Sequence, residues 1–448
     1  MGLKAGTARA VLTPYWGVEL TGWGYFLNRT WETIHDDLQA TALVLENGDT
    51  ALAVVSLDLM VISADFTKQV RELVEAETGI PPAHVMVAAT HTHNAPASGG
   101  LLGVGEVDPF YEVWAAKQAA TAIIQAFRKR EPADLAVSST NLPGQTFNRT
   151  RENGPVDPRV TSLRVNRANG SPLAFVVNFQ AHPTVQTKLR PRAVSRDVPG
   201  QICDMIERAM PGATALYLQG ACGDVNFLRR FSATPELSKE PARITAGAVL
   251  ASQANAQRID DPVLTTRSQV VALPTRRWTR EEIDRDREEA QERLKTNDVT
   301  GWKESIGRVM TNRPDEMVAR HGGDEWKAVE AMCRFNLAWT YRMLNDWETR
   351  PETLETEVQA FRIGELGIVA NSSEFFSSLA LDVRNRAGLE HLMISCYTNG
   401  RIGYLPDAHD IARRTYAAYQ SPKYCNQFPF TNESGPAMCD AMVQLVQS

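Results

Sequence analysis

The sequence predicts an α/β fold: a mixed β-sheet core covered by helices, with its functional groups at strand ends. Three observations predict it. Short apolar runs rich in β-branched residues alternate with stretches of helical periodicity through the first half of the chain. Two pairs of those runs flank turn sequences, which adds antiparallel hairpins to the crossovers of a parallel sheet. Hydrophobic residues make up 43% of the 448 positions and charged residues 22%, which suits a large packed core and not a disordered chain.

Taken in order, the opening residues read as a turn-rich stretch with no apolar leader, and Gly6 stands where a myristoylation signal needs Ser or Thr. Segments 41–46 and 51–57 form a hairpin around Asn47-Gly48-Asp49. A helix over 65–78 stops at Gly79, with Pro81 beyond it. A short buried strand over 85–89 precedes a helix over 111–130. Segments 160–165 and 173–179 flank Ala168-Asn169-Gly170-Ser171 as a second hairpin. A helix over 199–210 and a strand over 213–218 follow.

From 276 to 350 the chain turns rich in Arg, Glu and Trp, with amphipathic helices over 281–294 and 324–345. This reads as a helical insertion lying on the sheet domain, whose tryptophans pack in the core or line a pocket. Strands return over 355–363, 366–371 and 391–396, and the tail from Asp407 is turn-rich and aromatic. With no internal repeat and no clear linker, residues 1–448 read as one elaborated domain.

Charge and composition exclude several functions. Asp+Glu total 53 against 47 Lys+Arg, a net charge of -6, so the basic footprint of a nucleic-acid binder is missing. The best apolar run, 51–57, falls far short of the ~20 residues that span a bilayer, so no stable membrane anchor is expected. The six cysteines contain no C-x-x-C pair, which argues against a cysteine zinc knuckle. They read as reduced thiols of a cytoplasmic protein, a Cys425–Cys439 disulfide being the alternative.

The chemistry gathers at strand ends, where open α/β sheets bind ligands. After the 85–89 strand comes Thr90-His91-Thr92-His93-Asn94-Ala95-Pro96, which holds two of only eight histidines. In extended chain, residues two apart share a face. His91 and His93 can then both be metal ligands, or one a ligand and one an acid/base. A bare H-x-H also suits surface or capping histidines; its place after a buried strand is what points to a metal. The 173–179 strand runs into Gln180-Ala181-His182-Pro183-Thr184, and Pro183 biases His182 towards an extended backbone. The 213–218 strand runs into Gly220-Ala221-Cys222-Gly223-Asp224-Val225-Asn226, where Asp224 and Asn226 are expected on one side. Glu374 and Tyr404 follow the later strands. Taken singly, these suit a turn histidine, a Gly-Asp turn, a helix-start carboxylate and a satisfied tyrosine.

In order, these segments resemble the catalytic domain of the neutral/alkaline (non-lysosomal) ceramidases. The motifs carrying the resemblance are T-H-T-H-x-x-P at Thr90 to Pro96, N-R at Asn148-Arg149 and H-P-T at His182-Pro183-Thr184. They continue with G-D-V at Gly223-Asp224-Val225, Glu374-Phe375, Gly403-Tyr404, and Tyr416 twelve residues on. The resemblance implies one catalytic Zn²⁺ held by His91, His182, Glu374 and Tyr404, activating water for attack on a linear amide. It implies that His93, Arg149 and Tyr416 hold the scissile amide and its oxyanion. Imidazole, carboxylate and phenol oxygen suit Zn²⁺ as donors.

Two departures qualify what the resemblance implies. Ceramidases carry serine just after G-D-V, where this chain has Asn226, whose amide cannot act as a nucleophile but can donate a hydrogen bond. The chain also ends at Ser448 without the immunoglobulin-like domain of ceramidases, so a small soluble amide or ester is expected in place of membrane-borne ceramide. The leading expectation is a zinc-dependent amide hydrolase. The alternatives are a zinc esterase or lactonase on the same scaffold, a metal-dependent isomerase or lyase, and a zinc-stabilised binding protein.

Overall fold

Three groups of strands enclose one apolar core in the computed structural model, which describes residues 2–24, 26–228, 234–309 and 314–448. In the first group, Lys4–Val11, Gln39–Asn47 and Thr50–Leu57 pair antiparallel, and Val85–Ala89 joins in parallel. In the second, Glu131–Asn141, Arg159–Arg167 and Pro172–Phe179 pair antiparallel, and Thr214–Gln219 joins in parallel. Gln257–Ile259 adds to the far edge of Glu131–Asn141. The two groups form one nine-stranded sheet, joined among the described residues by the pairs Lys4↔Pro132 and Ala5↔Glu131. So short a seam lets the sheet fold back on itself, and the Ser56 hydroxyl donates to the Tyr217 carbonyl at 2.6 Å across the fold. The third group is a separate sheet of Leu264–Pro274, Thr353–Ile363 and Leu366–Ala370, antiparallel, with Leu392–Ser395 parallel at its edge.

Strand alternation divides the side chains between this core and the outer layers. On Pro172–Phe179, Ala174 and Val176 face the shared core with Leu43, Leu163 and Phe361, while Phe175 and Val177 face outward. Helices Ala64–Thr78 and Pro109–Arg128 cover the first group, and Asp197–Ala209 and Glu240–Ser252 cover the second. Ser377–Ala387 and Ser434–Gln447 cover the third. Local signals fix the ends of the first helix: the Ser63 hydroxyl accepts from Phe66 N, and Gly79 closes it at φ +73°.

The helix-covered mixed sheet is the class expected from the sequence. Three of the longer strands differ from that expectation. Glu131–Asn141 is not among the expected strands, since its opening Glu-Pro argues against a strand. Lys4–Val11 is a strand and not a turn-rich stretch; its small residues, Ala5, Gly6, Ala8 and Ala10, carry little β signal. Leu264–Pro274 buries only Leu264 and Leu273, so no apolar alternation marks it. Between it and Thr353–Ile363 stand the helices Arg280–Thr296, Val299–Val309, Pro314–Arg320 and Glu325–Asp346; residues 310–313 of the expected insertion lie outside the described residues. Trp278, Trp302 and Trp339 are fully buried there as core residues. All six cysteines are free thiols, so the alternative Cys425–Cys439 disulfide is absent. No helix among the described residues is long and apolar enough to cross a membrane.

The strands that carry the candidate residues end together. Cys396 N donates to Gln219 O at 2.8 Å, Gly223 N to Phe375 O at 3.0 Å and Ala89 N to Tyr397 O at 3.1 Å. Segments far apart in sequence are thereby tied into one rim.

Candidate metal centre

His91, His93 and His182 meet at that rim, buried, with one ring nitrogen from each lying within 4.8 Å of the others. His91 does not reach this place along an extended strand. Its φ is +65°, so the chain turns at His91, and the two-residue alternation expected for His91 and His93 is not what brings them together. The turn is anchored by His91 N donating to Leu59 O at 2.9 Å. His182 is held by a parallel bridge to Asn226, its N–H donating to Val225 O at 2.9 Å.

Each imidazole is oriented by a main-chain carbonyl. Nδ1 of His91 faces Met60 O at 2.9 Å, Nδ1 of His182 faces Cys222 O at 2.9 Å, and Nδ1 of His93 faces Gly22 O at 2.6 Å. A carbonyl only accepts, so these contacts assign the proton to Nδ1 and leave Nε2 as a lone pair. The three Nε2 atoms then face one another: His91 to His182 at 3.0 Å and His91 to His93 at 3.3 Å. Burial, then the Arg149 charge and the neighbouring imidazoles, holds His182 well below its ordinary pKa. Burial and His91 do the same for His93. Glu374 Oε2 lies 3.4 Å from His91 Nε2 and 3.8 Å from His182 Nε2, buried and without a hydrogen-bond donor.

Four acceptor atoms thus converge with no donor among them. Burying such a cluster unpaired is unfavourable, and a cation among the atoms relieves it. Imidazole and carboxylate donors fit Zn²⁺.

The remaining candidates ring this cluster. Tyr404 pairs with Glu374 between two short parallel strands, and its hydroxyl accepts from Arg149 Nη2 at 2.8 Å. Arg149 also donates to Gly223 O, at 2.7 Å from Nη2. Burial works against the Arg149 charge, but Tyr404 and Glu374 beside it hold its pKa above the ordinary value. Tyr416 packs edge-on against Tyr404, ring centroids 5.7 Å apart, and its ring lies 6.2 Å from that of Tyr424. It therefore joins both the site and the aromatic tail.

Asn226 is fully buried, and neither its amide oxygen nor its amide nitrogen has a partner among the described residues. Asp224 turns to a different task. Its carboxylate accepts from Asn148 Nδ2 at 2.6 Å and from the Ser377 N–H and hydroxyl at 2.8 Å each. With Arg149 N donating to Asp224 O at 2.7 Å, this clamps the Asn148-Arg149 turn to the helix that follows Glu374. Gly223 permits the close approach: a Cβ there would lie 2.4 Å from Glu374 O.

Three supports were not singled out from the sequence. The Tyr397 ring lies flat on His91, centroids 3.9 Å apart at 22°, and its hydroxyl meets Cys222 Sγ at 3.0 Å. The carbonyls of Met60 and Gly22 orient two imidazoles, and main-chain atoms have no residue-type signature. Tyr397 follows a buried strand end directly, which is the one signal that marks it.

No protein-family model matches the chain, and no curated protein matches it by sequence. Solved structures do. Neutral ceramidase from Pseudomonas aeruginosa superposes with a TM-score of 0.74 at 18% identity, over 100% of this chain and 74% of that one. A structure described as ceramidase complexed with C2 gives 0.71 at 17% identity, over 100% and 75%. The chain has a neutral ceramidase-like fold.

Proposed function

We propose that the protein is a zinc-dependent hydrolase of a linear amide bond in a small-molecule substrate. The observation that carries this reading is the donor-free cluster of His91, His182 and His93 Nε2 with Glu374 Oε2. The likeness to ceramidase structures supports it at the level of fold. Zinc, when bound, supplies Lewis acidity, polarising an acyl oxygen and lowering the pKa of water towards ~7.

The protein residues take the remaining roles. His91, His182 and Glu374 would hold the metal, with Tyr404 beside Glu374 completing the set. His93, neutral and at the edge of the cluster, would be left outside the ligand set; its Nε2 would accept a proton from the attacking water and then, as a donor, pass it to the leaving amine. Arg149 and Tyr416 supply further donors to the oxyanion, each worth ~10²–10³-fold in rate by analogy with other oxyanion donors. Asn226 hydrogen-bonds the substrate and forms no covalent bond to it.

The test combines metal analysis with a panel of paired amides and esters sharing one acyl group. The reading expects about one zinc per chain, amide hydrolysis abolished by chelation and restored by zinc, and metal lost in the His91→Ala, His182→Ala double variant. Stoichiometric zinc in that variant, or amidase activity that survives full metal removal, overturns it.

A further inference from the structure

We propose that Arg151 and Asp407 are positioning residues: their ion pair fixes the turn that carries Arg149, and so sets where Arg149 meets the oxyanion. The part played in the reaction rests on the amide-hydrolase reading above; the fixing of the turn does not.

The turn is Asn148-Arg149-Thr150-Arg151, at the end of the short strand Thr146–Asn148. One side chain shapes it. Asn148 Oδ1 accepts from the Thr150 N–H at 3.0 Å and from the Arg151 N–H at 3.2 Å, the local bonding that asparagine brings to turns. From this turn Arg149 reaches the Tyr404 hydroxyl and Gly223 O. Arg151 reaches Asp407, its Nη2 donating to Oδ2 at 2.6 Å.

Both carboxylates that meet the turn are held by one helix start. Asp224 accepts from Asn148 on one side and from Ser377 on the other. Asp407 accepts from Arg151 and, on the same Oδ2, from the Ser378 hydroxyl at 2.6 Å. Ser377 and Ser378 open the helix Ser377–Ala387, one residue after the short strand Glu374–Phe375. Two arms, Asn148–Asp224–Ser377 and Arg151–Asp407–Ser378, therefore brace the Arg149 turn against the element that carries Glu374.

The second arm also reaches the tyrosines. Asp407 lies three residues after Tyr404 and nine before Tyr416. Its Oδ1 caps the helix Ala408–Ala412 between them, accepting from Asp410 N at 3.1 Å. The Arg151–Asp407 bond thus ties the Arg149 turn to the segment that carries both rim tyrosines, alongside the bond from Arg149 to Tyr404 and a 3.4 Å contact from Thr150 to Asp410. Its two side chains are 24% and 12% exposed, so this charge-assisted bond is less screened than a surface pair. An arginine side chain is long, and its donors stay in place only where the backbone beneath it is fixed. Displacement of a reacting group by about 1 Å can cost ~10²-fold in rate.

The experiment uses zinc-loaded full-length protein with the para-nitroanilide and the para-nitrophenyl ester of octanoic acid, which share one acyl group. Arg151→Gln cuts the arm at the turn, and Ser378→Ala cuts it at the helix if Arg151→Gln does not fold. The first readout is amide hydrogen exchange. Residues 149–154 are expected to exchange about fivefold faster or more, while the core strand Pro172–Phe179 keeps its rate. The second is turnover of whichever compound is cleaved. The kcat should fall about tenfold or more, with KM and zinc content near wild type. In an Arg149→Gln background the same substitution should add little, because Arg151 acts through Arg149. Unchanged exchange at 149–154, exchange that quickens equally in the core, full kcat, a loss confined to KM, loss of zinc, or losses that multiply in the Arg149→Gln, Arg151→Gln double variant overturns the inference. Failure of the hydrolase reading looks different. If zinc-loaded wild type cleaves neither compound, that reading falls, and exchange alone decides whether the pair fixes the turn.

Discussion

The Tyr397 ring lies flat on the His91 imidazole, 3.9 Å between centroids, while its hydroxyl meets the Sγ of Cys222, whose carbonyl in turn orients His182. One side chain therefore supports two of the three converging histidines from behind. Partners of this kind fix ligand orientation, and their loss typically weakens metal binding 10–100-fold. Tyr397→Ala should lower zinc affinity by about that factor, measured by competition with a chromogenic chelator. Tyr397→Phe keeps the stacking and should stay within severalfold of wild type. Equal zinc affinity in Tyr397→Ala and wild type would show that the stack does not position His91.

Acid should destabilise the metal-free protein. His182 and His93 have pKa values held well below the ordinary value of ~6.5, by burial first and then by neighbouring positive charge. Below about pH 6.5 the unfolded chain takes up protons at these positions that the folded chain refuses. Stability is therefore full above ~6.5, falls as pH drops below it, and levels off under the depressed folded values, by at most about 1.4 kcal/mol per pH unit for each group. Urea unfolding of chelator-treated protein at pH 7.5 and 5.5 checks this. His182→Asn should flatten the dependence, and an unchanged slope in that variant would assign the acid sensitivity elsewhere.

Asn226 stands where ceramidases carry serine, buried beside His182 with both amide atoms unpartnered. A buried side chain with no nucleophilic atom can contribute only hydrogen bonds. Asn226→Ala should keep its zinc and lose at most ~10²–10³-fold in kcat. Mass spectrometry of the protein quenched during turnover should find no acyl adduct on residues 223–226; an adduct there would replace the water route with a covalent one.

Much of the site was legible because strand ends leave local marks. His182 follows an apolar run and precedes proline, and Glu374 and Tyr404 also follow apolar runs. His91 and His93 were legible for a reason that does not hold in the structure: they converge through a left-handed turn at His91 and not through strand alternation. The missing parts are those whose signals are not carried by residue type. The carbonyls of Gly22 and Met60 belong to the main chain, and Leu264–Pro274 hides its strand by facing solvent. The fold-back of the nine-stranded sheet rests on a two-pair seam between segments more than a hundred residues apart, which no local pattern encodes.

Variants of the two tyrosines at the rim are expected to separate metal holding from charge stabilisation. The Tyr404 hydroxyl accepts from Arg149 and lies beside the Glu374 carboxylate, the residue proposed above as a metal ligand. Tyr416 packs edge-on against the Tyr404 ring, and its own ring lies 6.2 Å from that of Tyr424. Burial raises the pKa of both phenols well above the ordinary value, and Glu374 adds to this in each case. Both are therefore donors at neutral pH in the metal-free protein. Tyr404→Phe removes the hydroxyl that lies beside Glu374 and accepts from Arg149, so zinc affinity should fall and activity with it. Tyr416→Phe keeps the ring against Tyr404 and removes one hydroxyl. Folding and zinc content should stay near wild type, and the loss should appear in kcat more than in KM, because a bond to the oxyanion strengthens only as the oxyanion forms. Zinc content and steady-state kinetics of the two variants, measured side by side, check the assignment. If Tyr416→Phe keeps full kcat, or loses zinc as readily as Tyr404→Phe, the hydroxyl of Tyr416 serves the aromatic tail and the oxyanion is held by Arg149 and His93 alone.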